Sequence, residues 1–124
     1  MIRAAVAILA SGALAAPASA GTIVFGRKGG NILPYTVTIA ADGAVAARGA
    51  AQGVRPRLSP AAVTGLLRLA RAEALAAGTT SCPGVLPDAA SFWVRVGGRT
   101  TTVHGGCQPR FNELYAVLSA AVGL

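Results

Sequence analysis

The amino-acid sequence predicts an α+β fold, in which an antiparallel sheet of two hairpin units carries two amphipathic helices on one face. Two groups of strand-like segments with alternating polarity are each followed by a segment with apolar residues at helical spacing. Glycine-containing turns separate the strands within each group. These patterns give the element order β-β-β-α-β-β-α and place both helices on one side of the sheet.

The start of the chain resembles an export signal. Residues 1–20 combine a positive Met1-Ile2-Arg3 start, apolar residues 4–16 and a small-residue cleavage site, Pro17-Ala18-Ser19-Ala20. The apolar stretch is shorter than the roughly 20 residues needed to cross a bilayer, and a membrane anchor is the less favoured alternative. We therefore expect a secreted or periplasmic protein without a transmembrane segment, with residues 21–124 forming a single domain.

The first hairpin unit contains three predicted strands, over residues 22–25, 35–39 and 44–48. The first strand is interrupted at Arg27–Asn31, where basic and glycine residues indicate a tight turn. Between the second and third strands, Asp42-Gly43 favours a type I′ turn. Residues 49–57 are weakly patterned and fit either a loop or a ragged edge strand.

The first helix is predicted to begin at Ser59-Pro60, because serine caps free N–H groups and proline suits the first turn. Gly78 is the predicted C-cap residue, and a loop is predicted over residues 79–90. The apolar positions share one helical face: Val63, Leu66, Leu67, Ala70, Ala74 and Ala77.

The second hairpin unit has a two-residue turn, Gly97-Gly98, which fixes its register. Val96 should oppose Arg99, with Phe92, Val94 and Val103 on the same face. The alternating residues of the two strands should then place their side chains on the opposite face: Trp93, Arg95, Thr100, Thr102 and His104.

The second helix is predicted from Pro109 onward, with Gly123 closing it. Its apolar residues recur at helical spacing: Phe111, Leu114, Tyr115, Leu118 and Val122.

Cys82 and Cys107 are expected to form a disulfide, since an exported chain with two cysteines normally pairs them. A catalytic or metal-binding thiol pair is the alternative. The spacing is not that of a redox CxxC motif, and His104 with two cysteines makes a poor zinc ligand set. We expect neither a metal nor a cofactor.

Catalytic motifs are scarce, and the sequence does not predict an enzyme. His104 is the only histidine and is interpreted as a structural strand residue. The glycine-rich segment 26–30 could form a phosphate-binding nest, but a hairpin turn is favoured because no helix N-terminus follows.

Positive charge is the strongest compositional feature. The chain has 11 Lys and Arg residues against four acids, and loss of Arg3 with the signal leaves a net charge of +6. The cations are scattered and lack interleaved aromatic residues, so nucleic-acid binding is not expected. Attraction to anionic envelope polymers remains an alternative function.

Trp93 and Arg95 are predicted to lie on the sheet face opposite Phe92, where they would form an exposed aromatic and basic patch. The alternative is that the loop after Gly78 partly covers Trp93.

The segment Ile23-Val24-Phe25-Gly26-Arg27-Lys28-Gly29-Gly30, the Ser-Pro helix start and Val94-Arg95-Val96-Gly97-Gly98-Arg99-Thr100 together resemble the emfourin-like domains. The similarity covers nearly all of residues 21–124 in element order. The resemblance implies a small proteinaceous inhibitor of thermolysin-like metalloproteases, whose partner would be an exported metalloprotease. The implied contact residues are Arg27, Lys28, Gly29, Gly30 and Asn31, with Trp93 and Arg95 as a second hypothetical contact surface.

Overall fold

The fold consists of one six-stranded sheet with two helices packed on one face, as seen in a computed structural model that describes residues 22–73 and 77–124. The predicted signal peptide, residues 1–20, lies outside the described residues. The strands are β1 (Ile23–Lys28), β2 (Tyr35–Ile39), β3 (Val45–Gly49), β4 (Gly78–Ser81), β5 (Ser91–Val96) and β6 (Arg99–His104). The helices are α1 (Pro60–Ala72), between β3 and β4, and α2 (Pro109–Val122), after β6.

The strand order across the sheet is β3-β2-β1-β5-β6-β4. The two predicted hairpin units are joined through antiparallel pairing of β1 with β5. In the second hairpin, Val96 opposes Arg99 and Phe92 opposes Val103, which confirms the predicted register. The two turn glycines, Gly97 and Gly98, both have positive φ, as a type I′ turn requires.

The hydrophobic core lies between the helices and the sheet face that carries Ile23, Phe25 and Val94. Both helices turn a buried apolar face toward it. The helix contribution consists of Val63, Leu66, Ala70, Phe111, Leu114, Leu118 and Val122. We call the opposite side of the sheet, which holds Trp93, the open face.

The first helix begins as predicted, with Ser59 Oγ accepting a hydrogen bond from the Ala62 N–H at 3.1 Å. The prediction of its end was wrong. The helix stops at Ala72, and Glu73 is the C-cap, while Gly78 starts β4 with a φ of 122°. The predicted helical position Ala74 lies outside the described residues.

The sheet is mixed, which corrects the predicted all-antiparallel arrangement. Strand β4 pairs in parallel with β6, from Gly78 opposite Thr101 to Ser81 opposite His104. The sequence predicted a loop over residues 79–90 because Pro83, Gly84 and Pro87 are typical of loops. The residues of β4 are polar or glycine and all four are exposed, so no apolar alternation marks the strand.

The predicted type I′ turn at Asp42-Gly43 was also wrong, since Gly43 has a φ of 97° but no non-glycine residue in the described part of the chain has positive φ. Asp42 Oδ1 instead accepts a hydrogen bond from the Ala44 N–H, and the Gly43 N–H donates to Ala40 O. Residues 50–58 form a loop, apart from a single bridge between Ala44 and Arg57.

Candidate functional site

Three loops meet at one end of the sheet, which we call the loop end. The pairing registers place Lys28 opposite Ser91 and Ser91 opposite His104, while Arg27 opposes Tyr35. The loop between β1 and β2, the loop between β4 and β5 and the segment after β6 therefore all emerge here.

The β1–β2 loop, residues 29–34, is attached to the β4–β5 loop through backbone contacts. The Asn31 N–H donates to Asp88 O at 3.2 Å, and Asn31 Nδ2 donates to Asp88 Oδ2 at 3.0 Å. Gly30 packs so closely that a Cβ there would lie 2.4 Å from Asp88 O. The two loops are thus held together at van der Waals distance by two hydrogen bonds.

The other side of the same loop is braced by Arg27, whose Nε donates to Leu33 O at 2.9 Å. The guanidinium carbon lies 4.9 Å from the centre of the Tyr35 ring, a cation–π contact. Because Pro34 follows it, Leu33 is restricted to extended backbone. The loop is therefore fixed at both of its ends.

A half-buried tyrosine pair connects this brace to α2. The hydroxyl oxygens of Tyr35 and Tyr115 lie 2.7 Å apart, a hydrogen-bond distance. The Tyr115 ring packs edge-on against the rings of Phe25 and Phe92. Burial, reinforced by the hydrogen bond to Tyr35, raises the pKa of Tyr115 well above its ordinary value, while the Arg27 charge opposes the rise.

The fixed loop exposes apolar side chains. Leu33 is 73% exposed and Ile32 is 44% exposed. Leu86, in the adjoining β4–β5 loop, is 67% exposed. We call these three residues the loop-end patch. Exposed large apolar side chains that share one end of a domain are typical of binding surfaces.

The structure places the predicted contact residues of this segment in different roles. Arg27 and Asn31 direct their polar groups to partners within the protein, and Gly30 packs against the neighbouring loop. Lys28 and Gly29 are exposed. The exposed large apolar residues of this loop, Ile32 and Leu33, directly follow the predicted contact residues, which end at Asn31. The sequence did contain a signal for their exposure, because the two residues lie between a glycine pair and a proline and do not belong to an alternating strand pattern.

The other two predicted contact residues, Trp93 and Arg95, lie on the open face, as expected. Trp93 is half-buried and pairs with Gly26 on β1 and Thr102 on β6. Its ring packs onto Gly26, where a Cβ would lie 3.1 Å from indole Cζ2. Arg95 pairs with Val24, one step farther from the loop end. The predicted set is thus divided between two surfaces.

The disulfide between Cys82 and Cys107 is formed, with an S–S distance of 2.05 Å, which confirms the predicted pairing. It joins the end of β4 to the segment before α2. Gly105 is required beside it, since a Cβ at this residue would lie 2.6 Å from Cys82 Cβ. The disulfide therefore holds the start of the β4–β5 loop in place at the loop end.

His104 Nε2 lies 2.9 Å from Ala89 O, so the histidine binds the β4–β5 loop to β6, as expected for a structural residue.

Within the part of the chain that the structure describes, no group of three His, Cys, Asp or Glu side chains is placed to hold a metal ion. None of the helices in residues 22–73 and 77–124 has the length and apolar composition needed to span a bilayer.

Comparisons with protein-family models, with curated proteins and with solved structures find no match to this chain.

Proposed function

We propose that this chain is a secreted, disulfide-stapled interaction module that inhibits an exported metalloprotease by placing its β1–β2 loop against the protease. The observation that supports this best is the combination of exposed apolar side chains with a fixed backbone in residues 29–34. The resemblance to emfourin-like domains supplies the class of partner.

A fixed loop favours tight binding because less conformational freedom is lost when the complex forms. Asn31 and Arg27 hold the loop in place before any partner arrives. Leu33 and Ile32 then supply exposed apolar surface whose burial against the protease would stabilise the complex. Little backbone rearrangement of the inhibitor is needed.

Export is part of the proposal. The disulfide requires an oxidising compartment, and residues 1–20 have the composition of a cleaved signal. Sequencing the N-terminus of the protein recovered from outside the cytoplasm tests this step. A start at Gly21 supports export, and retention of Met1 in the cytoplasmic fraction contradicts it.

The inhibition experiment measures residual peptidase activity of thermolysin-like metalloproteases against increasing concentrations of the oxidised protein. We expect saturable inhibition at physiological salt that persists at high salt, because packed apolar contacts are weakly screened. Inhibition of none of these peptidases would overturn the proposed partner class.

Leu33→Ala tests the loop. Truncating Leu33 should weaken inhibition about tenfold or more if the side chain is buried in the complex, since each buried carbon that is removed contributes about 0.8 kcal/mol. Leu124→Ala is the matched control, because Leu124 is also an exposed leucine, 43% accessible, but lies far from the loop end. Its neighbour Val122 accepts a hydrogen bond from the Arg55 N–H, and Arg55 belongs to the segment next to the β2–β3 turn, at the opposite end of the sheet. Equal inhibition by both variants would exclude the loop as the contact.

A further inference from the structure

We propose that the open face carries a second binding site, independent of the loop end, for an acidic polysaccharide built from uronic-acid sugars. Trp93 would contact a sugar ring, and Arg95 would bind a carboxylate. The site rests on three features of the face: a tryptophan held against the sheet, neighbouring hydroxyl groups, and exposed basic side chains.

Trp93 occupies the middle of the open face, because β5 lies between β1 and β6 in the sheet. Gly26 lacks a side chain, and the indole fills that position. The ring is held by the sheet yet remains partly exposed. An indole combines an apolar ring with a polar N–H, which suits contact with both the apolar and the hydroxyl-bearing parts of a sugar.

Partly exposed threonine hydroxyls lie near Trp93 on the same face. Thr36 shares its row across the strands, and Thr38 and Thr100 share the row of Arg95, whereas Thr102, next to Trp93 on β6, is buried. A hydroxyl both donates and accepts hydrogen bonds, which matches the hydroxyl groups of a sugar. The row that contains Trp93 crosses six strands, whose five spacings of about 4.8 Å give it a length of roughly 24 Å, enough to follow a chain of several sugar units.

The face is positively charged. Arg95, Arg48 and Lys28 are exposed on it. Thr100 Oγ1 accepts a hydrogen bond from Arg95 Nε at 3.2 Å, which orients the guanidinium and leaves its two terminal nitrogens for a carboxylate. The four acids of the chain lie at the β2–β3 turn, at the loop end or on the helix side: Asp42, Asp88, Glu73 and Glu113.

An acidic polysaccharide fits this face better than a protein or a nucleic acid. Trp93 and Val24 are its largest apolar side chains, whereas the centre of a protein interface is predominantly apolar. Single-stranded nucleic acid binds through successive aromatic residues, and this face offers one. The combination of one ring, hydroxyls and arginine matches a sugar that carries a carboxylate.

Trp93 is the only tryptophan of the chain, so its fluorescence reports on this face without labelling. Titration of the purified, oxidised protein with an oligogalacturonate at about 0.15 M ionic strength should change the emission saturably. A neutral galactose oligomer of equal length should produce no change. No response to the oligogalacturonate overturns the proposal.

Arg95→Gln should weaken oligogalacturonate binding about tenfold or more, because a hydrogen bond to a charged group is lost. Arg68→Gln is the matched control, since Arg68 is exposed on α1 and gives the same change in net charge. Equal weakening by the two variants would show diffuse attraction to charge and overturn the site.

Trp93→Ala is followed by calorimetry, with urea unfolding as a check that the variant folds. It should abolish saturable binding, and Trp93→Phe should restore part of it because an aromatic ring still covers Gly26. If inorganic polyphosphate or single-stranded DNA changes the emission more strongly than the oligogalacturonate, the proposed ligand class is wrong. Concentration-dependent dimer formation through this face would contradict the site as well.

Discussion

At the residue scale, Asn31 and Arg27 direct their polar groups to the backbone and side chains of the loop end. Asn31 donates hydrogen bonds to Asp88 from both its backbone N–H and its side-chain amide. Arg27 donates a hydrogen bond to Leu33 O and makes a cation–π contact with Tyr35. The sequence singled out this segment as a candidate contact loop but did not predict that these side chains bind within the protein. Asp88 lies 57 residues from Asn31, and local sequence spacing cannot show such a contact.

Gly30 and Gly29 form a natural pair for testing how the loop is attached. Both have positive φ, 68° and 75°, so alanine is strained at either residue. The Cβ of an alanine at residue 30 would clash with Asp88 O, whereas the Cβ of an alanine at residue 29 would have no atom within 4 Å. We expect Gly30→Ala to cost about 1–3 kcal/mol more than Gly29→Ala in urea unfolding. Equal losses would mean that the loops do not pack against each other.

Tyr115 predicts a dependence of stability on alkaline pH. Its pKa is raised in the folded protein, above the ordinary value of about 10, mainly by burial. Above that pH the unfolded chain loses a proton that the folded protein keeps, so this stabilisation is complete below about pH 10 and is lost as the pH rises. The slope stays below the single-proton limit of about 1.4 kcal/mol per pH unit, because solvent partly reaches the ring.

Urea unfolding of the wild type and of Tyr115→Phe between about pH 9 and pH 11 measures this effect. The variant should lose stability less steeply with pH, since phenylalanine does not titrate. Val117→Ala, a truncation on the exposed side of the same helix, should keep the wild-type slope. Parallel curves for the wild type and Tyr115→Phe would contradict the assignment.

At the scale of elements, the sequence predicted best where a local rule fixes the geometry. Gly97-Gly98 determines the β5–β6 register, and Ser59-Pro60 determines where α1 begins. Strand β4 and the end of α1 could not be predicted in this way. Their positions depend on parallel pairing with β6, a contact between residues far apart in sequence.

Helix α1 offers a stabilising substitution. Gly65 lies within the helix, is exposed, and has nothing within 4 Å of the position of a Cβ. Gly65→Ala should raise the free energy of unfolding by about 0.5–1 kcal/mol, because alanine loses less backbone entropy than glycine in a helix. The contrasting change is Gly26→Ala, where the Cβ would lie 2.2 Å from Tyr35 O. It should destabilise the protein, and a gain from both substitutions in urea unfolding would refute this account of the two sites.

At the scale of the whole molecule, the two proposed binding surfaces belong to one six-stranded sheet. The helices and their core occupy one face, which leaves the open face and the loop end to solvent. Residues on β1 serve both surfaces: Gly26 seats Trp93 on the open face, and Arg27 braces the loop. Alternation along a single strand thus directs the two residues to different surfaces, so we expect the two proposed partners to bind without displacing each other.

The disulfide connects overall stability to the loop end. Closing the 26-residue loop from Cys82 to Cys107 should contribute about 3.5 kcal/mol, a large share of the 5–15 kcal/mol typical of a domain. Asp88, which holds Asn31, lies inside that loop. Reduction should therefore loosen the β1–β2 loop as well as lower the free energy of unfolding.

Amide hydrogen exchange on the oxidised and reduced proteins separates these effects. The Asn31 N–H, bound to Asp88 O, should exchange much faster after reduction under conditions where the protein remains folded. The Ala40 N–H, bound to Ala44 O at the opposite end of the sheet, is the internal control and should follow the global stability alone. Cys82→Ala combined with Cys107→Ala should reproduce the reduced behaviour without a reducing agent. If Asn31 and Ala40 accelerate by the same factor, the disulfide stabilises the domain as a whole and does not hold the loop.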